Sequence, residues 1–293
     1  MARISFKLFG SFIGPTRFIA LLFFAILSSV SAKANPETIS ISLPGYDQPI
    51  IADLYKPDGA GPFPLVIFSH GRAGKASDRA QTDHTIAHSH PDYWLSKGFA
   101  ILAPVRPGYG PTGGTDVEDS QSCSGPAHFD RTAKNAADVT EAVISWSKTQ
   151  SFVRKNQILL VGQSVGGMTV VALGARKISG VVGYINFAGG AGGDPDRHPM
   201  SSCSPDALSA LYEELGKTTH VPNLWLYSIN DLFWGPDAPV MWHHAFERGG
   251  GRGQFVQTGP VSDGNGHHLI GKGKSMWEGP VDAFLKRLGF LKN

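Results

Sequence analysis

Residues 158–166 read Ile158-Leu159-Leu160-Val161-Gly162-Gln163-Ser164-Val165-Gly166. Four apolar residues, suited to a strand buried on both faces, run straight into a G-x-S-x-G pentapeptide. Residues 168–176 follow with the composition of a helix. A strand that turns into a helix over so few residues leaves no room for side chains two positions either side of the serine, which accounts for Gly162 and Gly166. Ser164 is then lifted at the carboxyl end of the sheet, above a helix N-terminus whose dipole favours developing negative charge. Ser164 is the candidate nucleophile, and the Val165 amide a candidate donor to an oxyanion. A glycine-rich turn with a capping serine is the competing reading. The strand before and the helix after favour the nucleophile.

Working outward, further apolar runs bounded by Gly and Pro predict strands at 64–69, 99–103, 157–161, 181–187, 223–228 and 254–258. Two β-like runs, 38–43 and 50–55, precede them, with a turn at Pro44-Gly45. Ala136, Val139, Val143 and Trp146 share one face of a helix predicted over 131–150. A short helix before Gly98 and helices over 239–248 and 275–288 complete the pattern. Strands alternating with helices predict an α/β fold, a doubly wound, mostly parallel sheet with helices on both faces. Stretches near 105–130 and 188–220, rich in Gly and Pro, read as loops inserted at the rim.

A serine nucleophile needs a base and an acid that orients it, and on such a sheet the chain order is Ser, Asp or Glu, His. Asp231 is the first carboxylate beyond the strand at 223–228, where the acid belongs. Its bland reading is an Asx turn. Asp237 reads as a cap of the next helix, and Asp194 and Asp263 compete less well. Beyond the last strand come Gly264-Asn265-Gly266-His267-His268. Adjacent side chains diverge, so only one imidazole can face Ser164. His267 is preferred, with His268 the open alternative. The loop Ser69-His70-Gly71-Arg72 offers the Arg72 amide as second oxyanion donor, with His70 fixing the loop by a hydrogen bond.

The composition excludes several classes. A formal net charge of +2 gives no electrostatic footprint for nucleic acid. Arg3, Lys7 and Arg17 precede an apolar run over 18–30 and the small residues Ser31, Ala32 and Ala34, which predicts a secretory signal peptide over 1–34, with cleavage after Ala32 the close alternative. Thirteen apolar residues are too few for a permanent span, so no stable membrane anchor is expected. Its removal takes away four basic residues and leaves 22 against 24 acidic ones, so the basicity belongs to the leader. A secreted or periplasmic domain over 35–293 is the expectation. In that compartment Cys123 and Cys203, one in each rim insertion, are expected to form a disulfide.

Two other patterns fall short of a site. The segment 266–273 approaches a P-loop but lacks the Ser or Thr that would hold magnesium. His84, His88 and His90 cluster without a glutamate or an evident third ligand, and read as structural. Trp225, Trp234 and Trp242 surround the acid and are either acyl-pocket or core residues.

Taken together, F-S-H-G-R at 68–72, R-P-G-Y-G at 106–110, G-Q-S-V-G at 162–166, N-D at 230–231 and G-N-G-H at 264–267 resemble the α/β-hydrolase superfamily, and within it secreted relatives of dienelactone hydrolase. Dienelactone hydrolases proper carry a cysteine in the elbow, where this chain has Ser164. The resemblance implies carboxylic ester hydrolysis without a metal or organic cofactor, which the residues assign to a Ser164–His267–Asp231 triad acting on a small-molecule ester. A small-peptide peptidase and a catalytically silent binding protein are the alternatives. Oligomeric state is not encoded in these motifs.

Overall fold

The computed structural model describes residues 35–86 and 89–292, with the isolated positions 1 and 10. The signal-peptide expectation and His88 lie outside the described residues.

Eight strands form one sheet in the order β1-β2-β4-β3-β5-β6-β9-β10. They are β1 (Glu37–Ile41), β2 (Ile50–Tyr55), β3 (Phe63–Ser69), β4 (Ala100–Pro104), β5 (Val153–Gln163), β6 (Val181–Phe187), β9 (Asn223–Ser228) and β10 (Gln254–Thr258). The hairpin β1-β2 and the β2-β4 pair are antiparallel, and all pairs from β4 to β10 are parallel. The central parallel strands β3, β4, β6 and β9 are almost wholly buried, because helices cover both faces, whereas the edge strand β10 is only partly so.

Alternate residues of each strand feed two separate cores. On one face Leu65, Ile67, Leu160, Tyr184 and Trp225 pack with α3 (Phe129–Ser147), α4 (Val165–Gly174), α5 (Pro205–Gly216) and α6 (Asp237–Arg248). On the other, Val66, Phe68, Val161, Ile185 and Leu226 pack with α2 (Ser89–Ser96), α7 (Leu269–Lys272) and α8 (Lys274–Arg287). The period-two alternation of each strand distributes its residues between the layers. A short α1 (Ala76–Ala80) follows the loop after β3.

One sequence expectation needs correction. The stretch 188–220 is not simply a loop: it holds a hairpin, β7 (Gly193–Asp194) with β8 (His198–Ser202), and the helix α5. In α5, Leu208 and Tyr212 are buried four residues apart, a helical signal hidden among Pro, Gly and Ser. Smaller differences are that β5 starts four residues earlier than expected, and that Asp237 sits in the first turn of α6, behind Pro236 at the cap.

Candidate active site

The elbow is built as the glycines require. Ser164 lies between β5 and α4 with φ 57° and ψ −124°, a left-handed conformation for a residue with a Cβ. Such a conformation costs on the order of 1–3 kcal/mol and needs outside support. Here the Ser164 amide donates to the Phe187 carbonyl at 3.0 Å, and its carbonyl accepts from Met168 at 3.0 Å and Gly190 at 3.1 Å. A Cβ on Gly162 would strike the Gly166 carbonyl, and one on Gly166 would strike the Ser69 carbonyl. The first substitution would push the end of β5 from the start of α4, and the second would push the start of α4 from the end of β3.

Asp231 follows β9 by three residues and is completely buried. Its Oδ1 accepts from the amides of Phe233 at 2.8 Å and Trp234 at 3.3 Å, so the Asx turn does form. The same carboxylate also meets His267: Nδ1 lies 3.0 Å from Oδ2 and 3.2 Å from Oδ1. A carboxylate accepts only, so Nδ1 carries the proton and Nε2 is left as the basic nitrogen.

The candidate base is clamped from several sides. Asn265 Oδ1 accepts from the amides of His267 at 3.0 Å and Leu232 at 3.2 Å, joining the base loop to the acid loop. The Phe233 ring stacks on the imidazole with centroids 4.0 Å apart, and Trp234 meets it edge-on at 5.5 Å. Gln163 Nε2 donates to the His267 carbonyl at 3.0 Å, tying this loop to the residue before Ser164. His268 points elsewhere: it is half-exposed and bonds Asp263 at 2.8 Å.

The loop after β3 lies against Ser164, since a Cβ on Gly71 would come within 3.2 Å of the Ser164 Cβ. His70 is buried. Burial, with the Arg106 charge beside it, drives its pKa well below the ordinary histidine value and keeps it neutral. The Arg72 guanidinium bonds Asp116 at 2.5 Å, and Asp116 also meets Arg79 at 3.1 Å. Burial opposes the Asp116 charge, but these arginines and a backbone bond outweigh it and lower its pKa.

Ser164 and Val165 open into a cavity of about 300 Å³, walled by the segments 118–124 and 191–194 together with Arg72, Arg197, Phe233 and Trp234. Ser120, Ser122 and Ser124 make much of this wall polar. The two rim insertions are joined by the Cys123–Cys203 disulfide, with Cα atoms 5.2 Å apart, and Cys123 itself lines the cavity. Of the three tryptophans, Trp234 reaches the cavity while Trp225 and Trp242 are core.

The histidines outside this site have separate surroundings. His84 bonds the buried Asp53 at 2.7 Å. His90 is enclosed by Phe68, Trp94, Phe187 and Trp277, and burial lowers its pKa to about 3. Among the described residues no group of three His, Cys, Asp or Glu side chains could hold a metal ion. Nor, among them, is any helix long and apolar enough to cross a membrane.

Sequence reasoning did not assign roles to Gln163, Phe233 or Asn265. Each stands within two residues of a candidate triad member, and that adjacency was the only signal. Which way each side chain turns is a property of the assembled loops.

The sequence matches no family model and no curated protein. Solved structures do match. The Pyrococcus furiosus esterase Pf2001 superposes with a TM-score of 0.60 at 12% identity, over 87% of this chain and 91% of that one. A Pyrococcus horikoshii acylaminoacyl peptidase gives 0.60 at 15% identity, over 88% of this chain and 42% of that one. A Mycobacterium tuberculosis puromycin-hydrolyzing peptidase gives 0.57 at 16%, over 88% and 41%. The chain thus spans nearly all of the esterase and under half the length of the peptidases. At these identities the likeness speaks for the backbone arrangement alone, and that arrangement, an eight-stranded, mostly parallel sheet flanked by helices and carrying a serine elbow, is the α/β-hydrolase fold.

Proposed function

We propose that this chain is a serine hydrolase that cleaves small carboxylic esters through Ser164, His267 and Asp231. One observation carries the reading. The buried Asp231 carboxylate grips Nδ1 of His267, while Gln163 ties that histidine's backbone to the strained turn bearing Ser164.

In this reading Ser164 Oγ attacks the ester carbonyl and its proton passes to His267 Nε2. Asp231 holds the ring by Nδ1 and stabilises the imidazolium. The carbonyl electrons move onto oxygen, and the Val165 and Arg72 amides receive that oxyanion. Collapse breaks the ester C–O bond and the alkoxide leaves with the proton from Nε2. Water then adds to the acyl-enzyme by the same route and releases the acid.

The size and polarity of the cavity favour a short, polar acyl group over a long alkyl chain. Peptide-bond cleavage is the second reading, since two of the superposing structures are peptidases. We extend the proposal to the rest of the chain: an exported protein whose hydrolase domain covers 35–293, with rim insertions near 105–130 and 188–220. The disulfide supports an oxidising compartment.

The test is labelling with a fluorophosphonate, followed by panels of p-nitrophenyl esters and short peptides. Wild type should label at Ser164, and Ser164→Ala should lose both the label and about 10⁴-fold of turnover. Labelling at another serine would overturn the nucleophile, and turnover confined to the peptide panel would replace the ester reading with the peptidase one.

A further inference from the structure

Arg106 and Glu118 form an ion pair that is closed to solvent, at 0% and 1% exposure. Nε meets Oε1 at 2.5 Å and Nη2 meets Oε2 at 3.0 Å, a two-pronged contact that Tyr109 completes by donating to Oε2 at 3.2 Å. A buried pair of this kind recovers little net stability, because desolvating both charges costs about as much as their attraction returns. Its remaining contacts point to another use.

Arg106 reaches the oxyanion loop through three groups. Its Nη1 donates to Ser69 Oγ at 3.0 Å, and its Nη2 lies 3.5 Å from the Gly71 carbonyl. Its backbone amide donates to His70 Nε2 at 3.0 Å, which leaves the His70 proton on Nδ1, and Nδ1 donates to the same Gly71 carbonyl at 2.7 Å. That carbonyl belongs to the peptide unit whose nitrogen is the Arg72 amide. In a trans peptide the C=O and N–H point in opposite directions. Holding the carbonyl on the Arg106 side therefore turns the Arg72 N–H the other way, and Gly71 lies against Ser164.

We propose that Arg106 and Glu118 are positioning residues that fix the Gly71–Arg72 peptide, so that the Arg72 amide is aimed at the oxyanion before substrate arrives. The inference rests on the serine-hydrolase reading above. Glu118 fixes the guanidinium plane, the planar fork spans Ser69 and Gly71 together, and a lysine could not reproduce that span. Glu118 also belongs to the cavity wall five residues before Cys123, so through Arg106 the rim insertion is connected to the loop after β3.

The experiment separates this role from structural support. Replacing both members with apolar residues, Arg106→Met with Glu118→Leu, removes the clamp and leaves no charge unpaired. The double variant should melt within a few degrees of wild type. Its kcat should fall roughly 10- to 100-fold, below the 10²–10³ lost with a whole oxyanion donor. KM should stay within about threefold, and affinity for a phenylboronic acid, which mimics the tetrahedral intermediate, should fall in parallel with kcat. Arg106→Lys should not restore kcat. A folded double variant with wild-type kcat and boronate affinity would overturn the inference. If the double variant does not fold, Ser69→Ala carries the test, because it removes one tether and no charge. A lower kcat at unchanged KM there supports the clamp, and an unchanged kcat overturns it. Ser164→Ala runs alongside. If it is inactive while the clamp variants keep wild-type rates, only this inference falls. If Ser164→Ala stays active, the hydrolase reading falls first.

Discussion

Removing the disulfide should affect stability and substrate binding by different amounts. Cys123 and Cys203 are 80 residues apart in sequence, and the loop they close includes β5, the elbow and β6. For a loop of that size the chain-entropy estimate is about 4.5 kcal/mol at 25 °C, an upper value because real denatured chains are already restricted. For a domain of this size that corresponds to a fall in Tm on the order of 10 °C. The cavity should suffer less. Without the bridge, the second insertion keeps its bonds from Cys203 N to the Gly192 carbonyl at 2.8 Å, from Met200 N to the Leu232 carbonyl at 2.6 Å and from Ser202 Oγ to the Ala191 carbonyl at 3.0 Å. Ser204 Oγ, donating to the Ser122 carbonyl at 3.3 Å, would still join the two insertions near the bridge. We therefore expect the Cys123→Ser, Cys203→Ser variant to raise KM for a short ester about 3- to 10-fold, with kcat within twofold, since no triad contact passes through the bridge. Thermal melts and steady-state kinetics of the oxidised wild type and of the variant measure both quantities. A variant that melts within 2 °C of wild type with an unchanged KM would refute the reasoning. So would a collapse of kcat, which would mean that the bridge supports the elbow itself.

Other outcomes follow from the same contacts. His267→Ala should lose turnover about as severely as the serine variant, while His268→Ala, which breaks only an exposed bond to Asp263, should keep at least a tenth of it; the reverse order would move the base to His268. Asp231→Asn keeps the shape but can present an N–H to Nδ1, favouring the wrong tautomer, so kcat should drop about 10⁴-fold in ester assays with little change in fold. His90 is neutral when folded, with a pKa of about 3, against about 6.5 when unfolded. The unfolded chain therefore binds the extra proton, and stability should fall as pH drops from about 6.5 towards 3, by roughly 2 kcal/mol at pH 5. His70 adds a loss of the same sign. Denaturant melts of His90→Leu across this range should show a shallower acid slope, and an unchanged slope would remove His90 from that account.

Much of the fold was written locally. A strand buried on both faces must be apolar throughout, so β3, β5, β6 and β9 announced themselves as short hydrophobic runs between glycines and prolines. The elbow was legible because its geometry admits only glycine at 162 and 166 and because strand, turn and helix are contiguous in the chain. Helix α5 was masked by the Pro, Gly and Ser of its insertion, and became a helix by packing Leu208 and Tyr212 into the core. The sequence favoured His267 but left His268 open, since neighbouring residues share nearly the same local context. Tertiary structure separates the two by bringing the loop after β10 beside the loop after β9, where the buried Asp231 meets the His267 imidazole and the exposed Asp263 takes that of His268. The Arg106–Glu118 clamp was hidden for the same reason. R-P-G-Y-G could be quoted as a motif, but its hydrogen bonds run to Ser69, His70 and Gly71, some 35 residues away, and only the parallel pairing of β3 with β4 sets their loops side by side. Sequence determines what each segment can bury and which backbone turns it can make; long-range pairing determines which side chains meet, because those distances are set by the sheet and not by separation along the chain.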